Sequence, residues 1–146
     1  MDTMRKTLCC GVVVLMFGCA AVGADTKAAP KTGGDVEYGR YLVENVGLCV
    51  DCHTPRLDNG QLDKTRPLKG TMLDFQPVNP VPHWKAMSPD ITTSGPKWAK
   101  WGAAGFVTFL ESGEWPDRDT ADPPMPAYHL HARDAQAIVD YLKTLK

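Results

Sequence analysis

The chain has 146 residues, 43% of them hydrophobic and 23% charged, with 16 Lys and Arg set against 17 Asp and Glu for a formal charge of −1. That length suits one domain and not comfortably two. The balanced charge, with no basic block, excludes nucleic acid as a partner, because that binding depends on clustered Lys and Arg.

Arg5 and Lys6 precede an apolar run from Leu8 to Val22, and Val22-Gly23-Ala24 offers small residues for cleavage. This is the pattern of a secretory signal peptide over 1–24. The run is short for a spanning helix, which needs about 20 apolar residues; an uncleaved anchor is the alternative. Met16-Phe17-Gly18-Cys19 loosely resembles a lipidation site at Cys19. Membrane association is expected only through that cysteine or through a partner. Removal of residues 1–24 takes Asp2, Arg5 and Lys6 with it and shifts the formal charge from −1 to −2. Residues 25–34, rich in Lys, Ala, Pro and Gly, read as a flexible leader, and 35–146 as the folded domain.

From Asp35 a helix is expected, since Val36, Gly39, Val43 and Val46 recur at three- and four-residue steps on one face. Gly39 is odd there, as glycine costs about 1 kcal/mol against alanine inside a helix. Either the helix is weak or another helix crosses too closely for a side chain. Gly47 ends the pattern.

Cys49-Val50-Asp51-Cys52-His53 follows. The spacing Cys-x-x-Cys-His reads as a covalent attachment site for a c-type haem. Each thiol can add across one vinyl group, and the next histidine then lies beneath the iron as an axial ligand. Of five cysteines, Cys9, Cys10 and Cys19 fall in the N-terminal segment, so the domain keeps only the motif pair. An exported protein sits in an oxidising space where spare thiols react, and two thioethers leave none spare. A zinc site would need four ligands, and no second cysteine pair exists. A dithiol oxidoreductase would want a strand before the motif.

Between Thr54 and Lys97 seven prolines break any long helix. So long a stretch with little regular structure is unusual in a compact domain. It makes sense if these loops wrap a large rigid cofactor, and Leu68, Met72, Leu73, Phe75, Val78 and Trp84 make it too apolar for a disordered insert. His53 needs an acceptor for its second ring nitrogen. A backbone carbonyl at Pro67 is the candidate. A second helix is expected over 100–111, with Phe106, Phe109 and Leu110 inward and Gly113 as its stop.

For the sixth position on the iron the chain offers Met72, Met87 and Met125, and His83, His129 and His131. Met125 is favoured, because Pro123-Pro124-Met125-Pro126 is a stiff segment that loses little entropy in presenting a thioether; Met87 comes next and Met72 behind it. Arg56 is a candidate partner for a haem propionate, and the four tryptophans for the pocket walls, where a buried indole N–H seeks an acceptor. The last helix, about 132–145, carries Ala135, Ile138, Val139, Leu142 and Leu145 as an apolar stripe.

The chain resembles a class I c-type cytochrome from about Gly34 to its end. The likeness is carried by Gly39-Arg40-Tyr41-Leu42, by Cys49-Val50-Asp51-Cys52-His53-Thr54-Pro55-Arg56, by Met125-Pro126-Ala127-Tyr128 and by the segment Asp134 to Lys143. Ser88-Pro89-Asp90-Ile91-Thr92 and Phe106 to Gly113 make it similar to the cytochrome domains associated with membrane-bound alcohol and sugar-acid dehydrogenases. The resemblance implies an all-α cytochrome c-like fold in which the first and last helices cross at close range, with Gly39 against Tyr141 or a neighbour. It also implies His53 and Met125 as axial ligands.

The expected function is electron transfer in the periplasm by one covalent haem bound through Cys49 and Cys52. The expected partners are a dehydrogenase, other cytochromes or a terminal oxidase, and the chain itself is expected not to be an enzyme. Two alternatives stand beside this: a five-coordinate haem with catalytic or sensory function, and a haem-free dithiol protein.

Overall fold

The computed structural model describes residues 36–146. The expected signal peptide, the leader, the start of the first helix at Asp35 and the lipidation site at Cys19 lie outside the described residues. Among the described residues no helix is long and apolar enough to cross a membrane.

The first helix, α1 (Val36–Tyr41), opens with Glu37 in its positive-dipole turn. Arg40 pairs with Glu37 at 2.9 Å and with Glu44 at 3.2 Å, one helical step either way. From Leu42 to Val46 the ladder widens to a π turn, closed by Gly47 N–H donating to the Leu42 carbonyl at 2.7 Å. This is why the 3.6-residue reading of the face is only half right. Gly39, Leu42 and Val43 are buried, whereas Val36 is 38% and Val46 57% exposed. The wider turn swings Val46 off the buried stripe, and Val36 sits in the unsupported first turn.

The last helix, α4, spans Ala132–Leu142, and Ala135, Ile138, Val139 and Leu142 are buried along one stripe. It stops short of the expected 145, where tight turns bring Thr144 N–H to the Tyr141 carbonyl and Leu145 N–H to that of Leu142. The two terminal helices cross at Gly39. A β-carbon there would overlap the Ala137 carbonyl oxygen and lie 3.0 Å from Tyr141 Cβ. The glycine is the consequence of that close crossing. Tyr38 Oη donates to Asp134 Oδ1 at 3.0 Å on one side of it, and Tyr141 Oη to Glu44 Oε1 at 3.1 Å on the other. Burial, followed by the Glu44 hydrogen bond, pushes the Tyr141 hydroxyl up to about 12.

A third long helix, α3 (Pro96–Ser112), starts earlier than expected. Pro96 begins it, where its missing N–H costs nothing. Gly102 then leaves helical geometry at φ 59° and ψ −167°, so residues 96–101 form a separate turn. The stop at Gly113 is as expected, with φ 76° and its N–H donating to Phe109 at 2.8 Å. Phe106, Phe109 and Leu110 face the core.

Between the motif and α3 the chain is loop, except for β1 (Thr71–Met72) and β2 (Met87–Ser88), antiparallel with Thr71 opposite Ser88. The loops are tied by side chains. Asp63 Oδ1 accepts from Thr65 N–H at 2.9 Å and from Thr65 Oγ1 at 2.6 Å, and Oδ2 accepts from Arg66 Nε at 2.7 Å. The Thr65 hydroxyl, followed by the Arg66 guanidinium, holds the Asp63 carboxyl at about 2. An unfolded Asp titrates near 3.9, so this contribution to stability is full above about pH 4 and fades as pH falls towards 2. Asp63→Asn should lower the urea midpoint at pH 6. The gap between variant and parent should narrow between about pH 4 and 2. A gap independent of pH would mean that the carboxylate charge plays no part.

Candidate functional site

After the π turn Leu48 adopts φ 50°, a left-handed conformation that re-aims the chain into α2 (Cys49–His53). One helical turn therefore presents both thiols and the imidazole to the same side, at steps of three and four residues. The thiols are not bonded to each other. Burial pushes the Cys49 thiol up to about 11, and burial followed by Asp51 and Asp74 raises that of Cys52. Reactive dithiols need the opposite, a depressed value that yields thiolate.

His53 is 5% exposed. Its Nδ1 lies 2.8 Å from the Pro89 carbonyl oxygen. A carbonyl only accepts, so Nδ1 carries the proton and the Nε2 lone pair is left for the cleft that His53 lines. Burial lowers the ring's pKa, against the opposing pull of the Pro89 hydrogen bond, and so favours the neutral imidazole that a metal ligand must be. The acceptor is thus Pro89, and the expectation of Pro67 is corrected. The turn at 67–70 pairs instead with the backbone around His53. Gly70 N–H donates to the His53 carbonyl at 2.6 Å, and Leu68 N–H to Thr54 Oγ1 at 3.1 Å. The Leu68 carbonyl in turn accepts from Ile91 N–H at 3.1 Å, so this turn carries the segment that supplies Pro89. Ser88 Oγ closes the layer by donating to the Cys52 carbonyl.

Met125 lines the same cleft, on the loop that returns from α3 to α4. That loop is pinned along its length. The Pro123 carbonyl accepts from Lys85 N–H at 2.7 Å, Tyr128 Oη donates to the Gly47 carbonyl at 2.8 Å, and Leu130 N–H donates to Leu110 at 2.9 Å. Burial pushes the Tyr128 hydroxyl up to about 12. Met87 also lines the cleft but is 61% exposed, and Met72 lies outside it. His83, His129 and His131 are exposed and away from the cleft lining. Arg56 pairs with Asp74 at 3.2 Å and donates to the Gly60 carbonyl, and it too is absent from the lining.

The cleft encloses about 640 Å³, and its walls include Leu73, Phe106, Phe109, Leu110, Trp115 and Ile138. Trp115 is stacked on Phe109 at 4.1 Å and on Trp101 at 4.6 Å, which stiffens that wall. Two thiols, a neutral imidazole and a thioether meet at this apolar space, a donor set suited to a covalent porphyrin and its iron. Trp84, next in the chain to cleft-lining Lys85, has the one buried side-chain nitrogen or oxygen that lacks a hydrogen-bond partner among the described residues. Its indole N–H is a donor awaiting an acceptor, as a propionate would be. The residues present fit the haem.

The structure brings the four residues expected from the sequence, Cys49, Cys52, His53 and Met125, to one cleft, but their supports are not legible in the sequence. Pro89 lies 36 residues from His53, and nothing in a pattern orients a carbonyl over that separation. Tyr128 carried a signal, an aromatic three residues after the stiff Met125 turn, but its acceptor at Gly47 is set only by the fold.

The sequence profile of the family described as Cytochrome c matches residues 36–146. A curated protein of Cereibacter sphaeroides, named as a diheme cytochrome c-type protein, is 38% identical over 112 residues. The match takes in 73% of this chain and 34% of that protein, so the chain spans about a third of its relative's length.

Proposed function

Because the chain belongs to the cytochrome c family, whose members carry electrons on haem c between redox proteins, we propose that it is a periplasmic carrier with one haem, ligated by His53 and Met125 and attached through Cys49 and Cys52. The observation that carries this reading is the hydrogen bond from His53 Nδ1 to the Pro89 carbonyl. It fixes the tautomer whose Nε2 is free for iron, in a cleft that Met125 also lines. The relative is named for two haems. This chain has one Cys-x-x-Cys-His, which supports a single haem on these residues. The N-terminal apolar run supports export.

When bound, haem c supplies a one-electron couple between Fe(II) and Fe(III). The protein's own residues set its character. Phe106, Phe109, Leu110 and Trp115 exclude water, and a dry apolar wall disfavours the additional charge of the oxidised iron. A thioether opposite an imidazole raises the potential relative to two imidazoles. Met125 on its pinned loop also denies the sixth position to small molecules. Transfer then needs only a brief encounter with a partner, of the small, short-lived kind typical of redox pairs.

Two measurements on protein exported from a host with haem-attachment machinery test this. Intact mass should show one added haem that survives denaturation and a start after residue 24. Carbon monoxide added to the reduced protein should leave its absorption almost unchanged. A strong carbon monoxide spectrum would favour the catalytic or sensory alternative. A colourless protein would leave the dithiol one.

A further inference from the structure

The peptide plane between Pro89 and Asp90 is what His53 leans on, and that plane is held far more firmly than a loop requires. A peptide unit is planar, so the direction of the Pro89 carbonyl is set by rotation on its two sides. On one side the proline ring fixes φ of Pro89 and leaves ψ as its one soft backbone angle. On the other, Asp90 is fixed by its own carboxylate. Oδ1 accepts from Thr92 N–H at 2.7 Å and from Thr92 Oγ1 at 2.7 Å. Oδ2 accepts from Lys69 Nζ at 3.3 Å and from Ser94 Oγ at 3.4 Å. Lys69 Nζ also reaches Thr92 Oγ1 at 3.0 Å, and Thr92 is fully buried. Two glycines clamp the same segment. A β-carbon at Gly70 would lie 2.6 Å from the Ser88 carbonyl oxygen and 2.7 Å from Asp90 N, and one at Gly95 would overlap the Asp90 carbonyl oxygen.

We propose that Asp90, with Lys69 and Thr92, is a positioning residue for the axial histidine: it aims the Pro89 carbonyl at His53 Nδ1 and thereby sets the donor strength of the ring and the reduction potential of the iron. This rests on His53 being the iron ligand. A hydrogen bond from Nδ1–H makes the imidazole a stronger donor, which favours Fe(III) and lowers the potential. Lys69 balances the carboxylate charge, so Asp90 acts by geometry rather than by its field.

The test compares Asp90→Ala and Asp90→Asn, each as the haem-loaded full chain. The readouts are the midpoint potential and, in a Met125→Ala background, the iron–histidine stretching band of the reduced protein. Asp90→Ala removes every bond that the Asp90 carboxylate makes to Thr92, Lys69 and Ser94. It should raise the potential and lower the stretching frequency. Asp90→Asn keeps an oxygen for Thr92 and should leave the frequency near that of the parent. If Asp90→Ala does not fold, Thr92→Val, which removes the hydroxyl's bonds to Asp90 and Lys69 but keeps the Thr92 N–H on Asp90 Oδ1, should move both readouts the same way by less. A folded Asp90→Ala or Thr92→Val protein with an unchanged frequency overturns the proposal, whatever its melting temperature. So does an Asp90→Asn shift as large as that of Asp90→Ala, which would indicate charge alone. Absence of any iron–histidine band in the otherwise unaltered Met125→Ala protein would instead overturn ligation by His53.

Discussion

Gly39→Ala should destabilise the domain by about 3 kcal/mol, the upper part of the usual range for overpacking. On helix propensity alone the change should help, by about 1 kcal/mol. Packing wins because the added methyl meets backbone, the carbonyl oxygen of Ala137, with Tyr141 Cβ 3.0 Å away. A side chain could rotate aside; a helical carbonyl cannot without moving α4. Moving α4 strains the Tyr38–Asp134 and Tyr141–Glu44 hydrogen bonds that flank the crossing. Leu42 and Val43, packed in the same core, would lose contact as well. For a domain of this size the melting temperature should fall on the order of 10 °C or more. Thermal melts of the haem-loaded protein followed in the far ultraviolet measure it. A variant as stable as the parent would mean that the terminal helices do not cross as described.

That glycine also shows what a sequence can disclose. Gly39 was legible because it violated a local rule, and such violations mark close approach or function. The motif was legible because its chemistry demands a fixed spacing within one helical turn. Met125 drew attention through the prolines around it. The stripe of α4 was readable because a straight helix keeps its period. The illegible parts have two causes, a local departure from the regular helix and partners remote in the chain. Val46 left the expected face because α1 loosens into a π turn, which no 3.6-residue pattern encodes. Leu68 is fully buried with φ 60°, a backbone usually given to glycine, because its N–H and carbonyl bridge Thr54 and Ile91. Pro67 and Pro89 look alike as turn prolines. Only the tertiary layering of the 67–70 turn, the 88–92 segment and α2 decides which of them meets His53.

On the proposed ligation, Met125→Ala should leave the haem attached, since Cys49 and Cys52 would hold it independently, while opening the iron to exogenous ligands. The reduced variant should bind carbon monoxide where the parent does not. Its potential should fall by about 0.2 V, a quarter of the roughly 0.8 V over which axial ligands act. The loop itself should persist, because its anchors at Lys85, Gly47 and Leu110 are backbone and tyrosine hydrogen bonds that do not involve the thioether. The rival ligand is Met87, and position argues against it. Met87 sits two residues before Pro89, on the segment that supports His53 from its Nδ1 side. Met87 is also 61% exposed, whereas Met125 is carried to the cleft by a separate loop that is pinned along its length. If Met125→Ala left the absorption and potential unchanged while Met87→Ala opened the iron, the axial assignment would pass to Met87, and the pinned proline loop would be only a wall of the cleft.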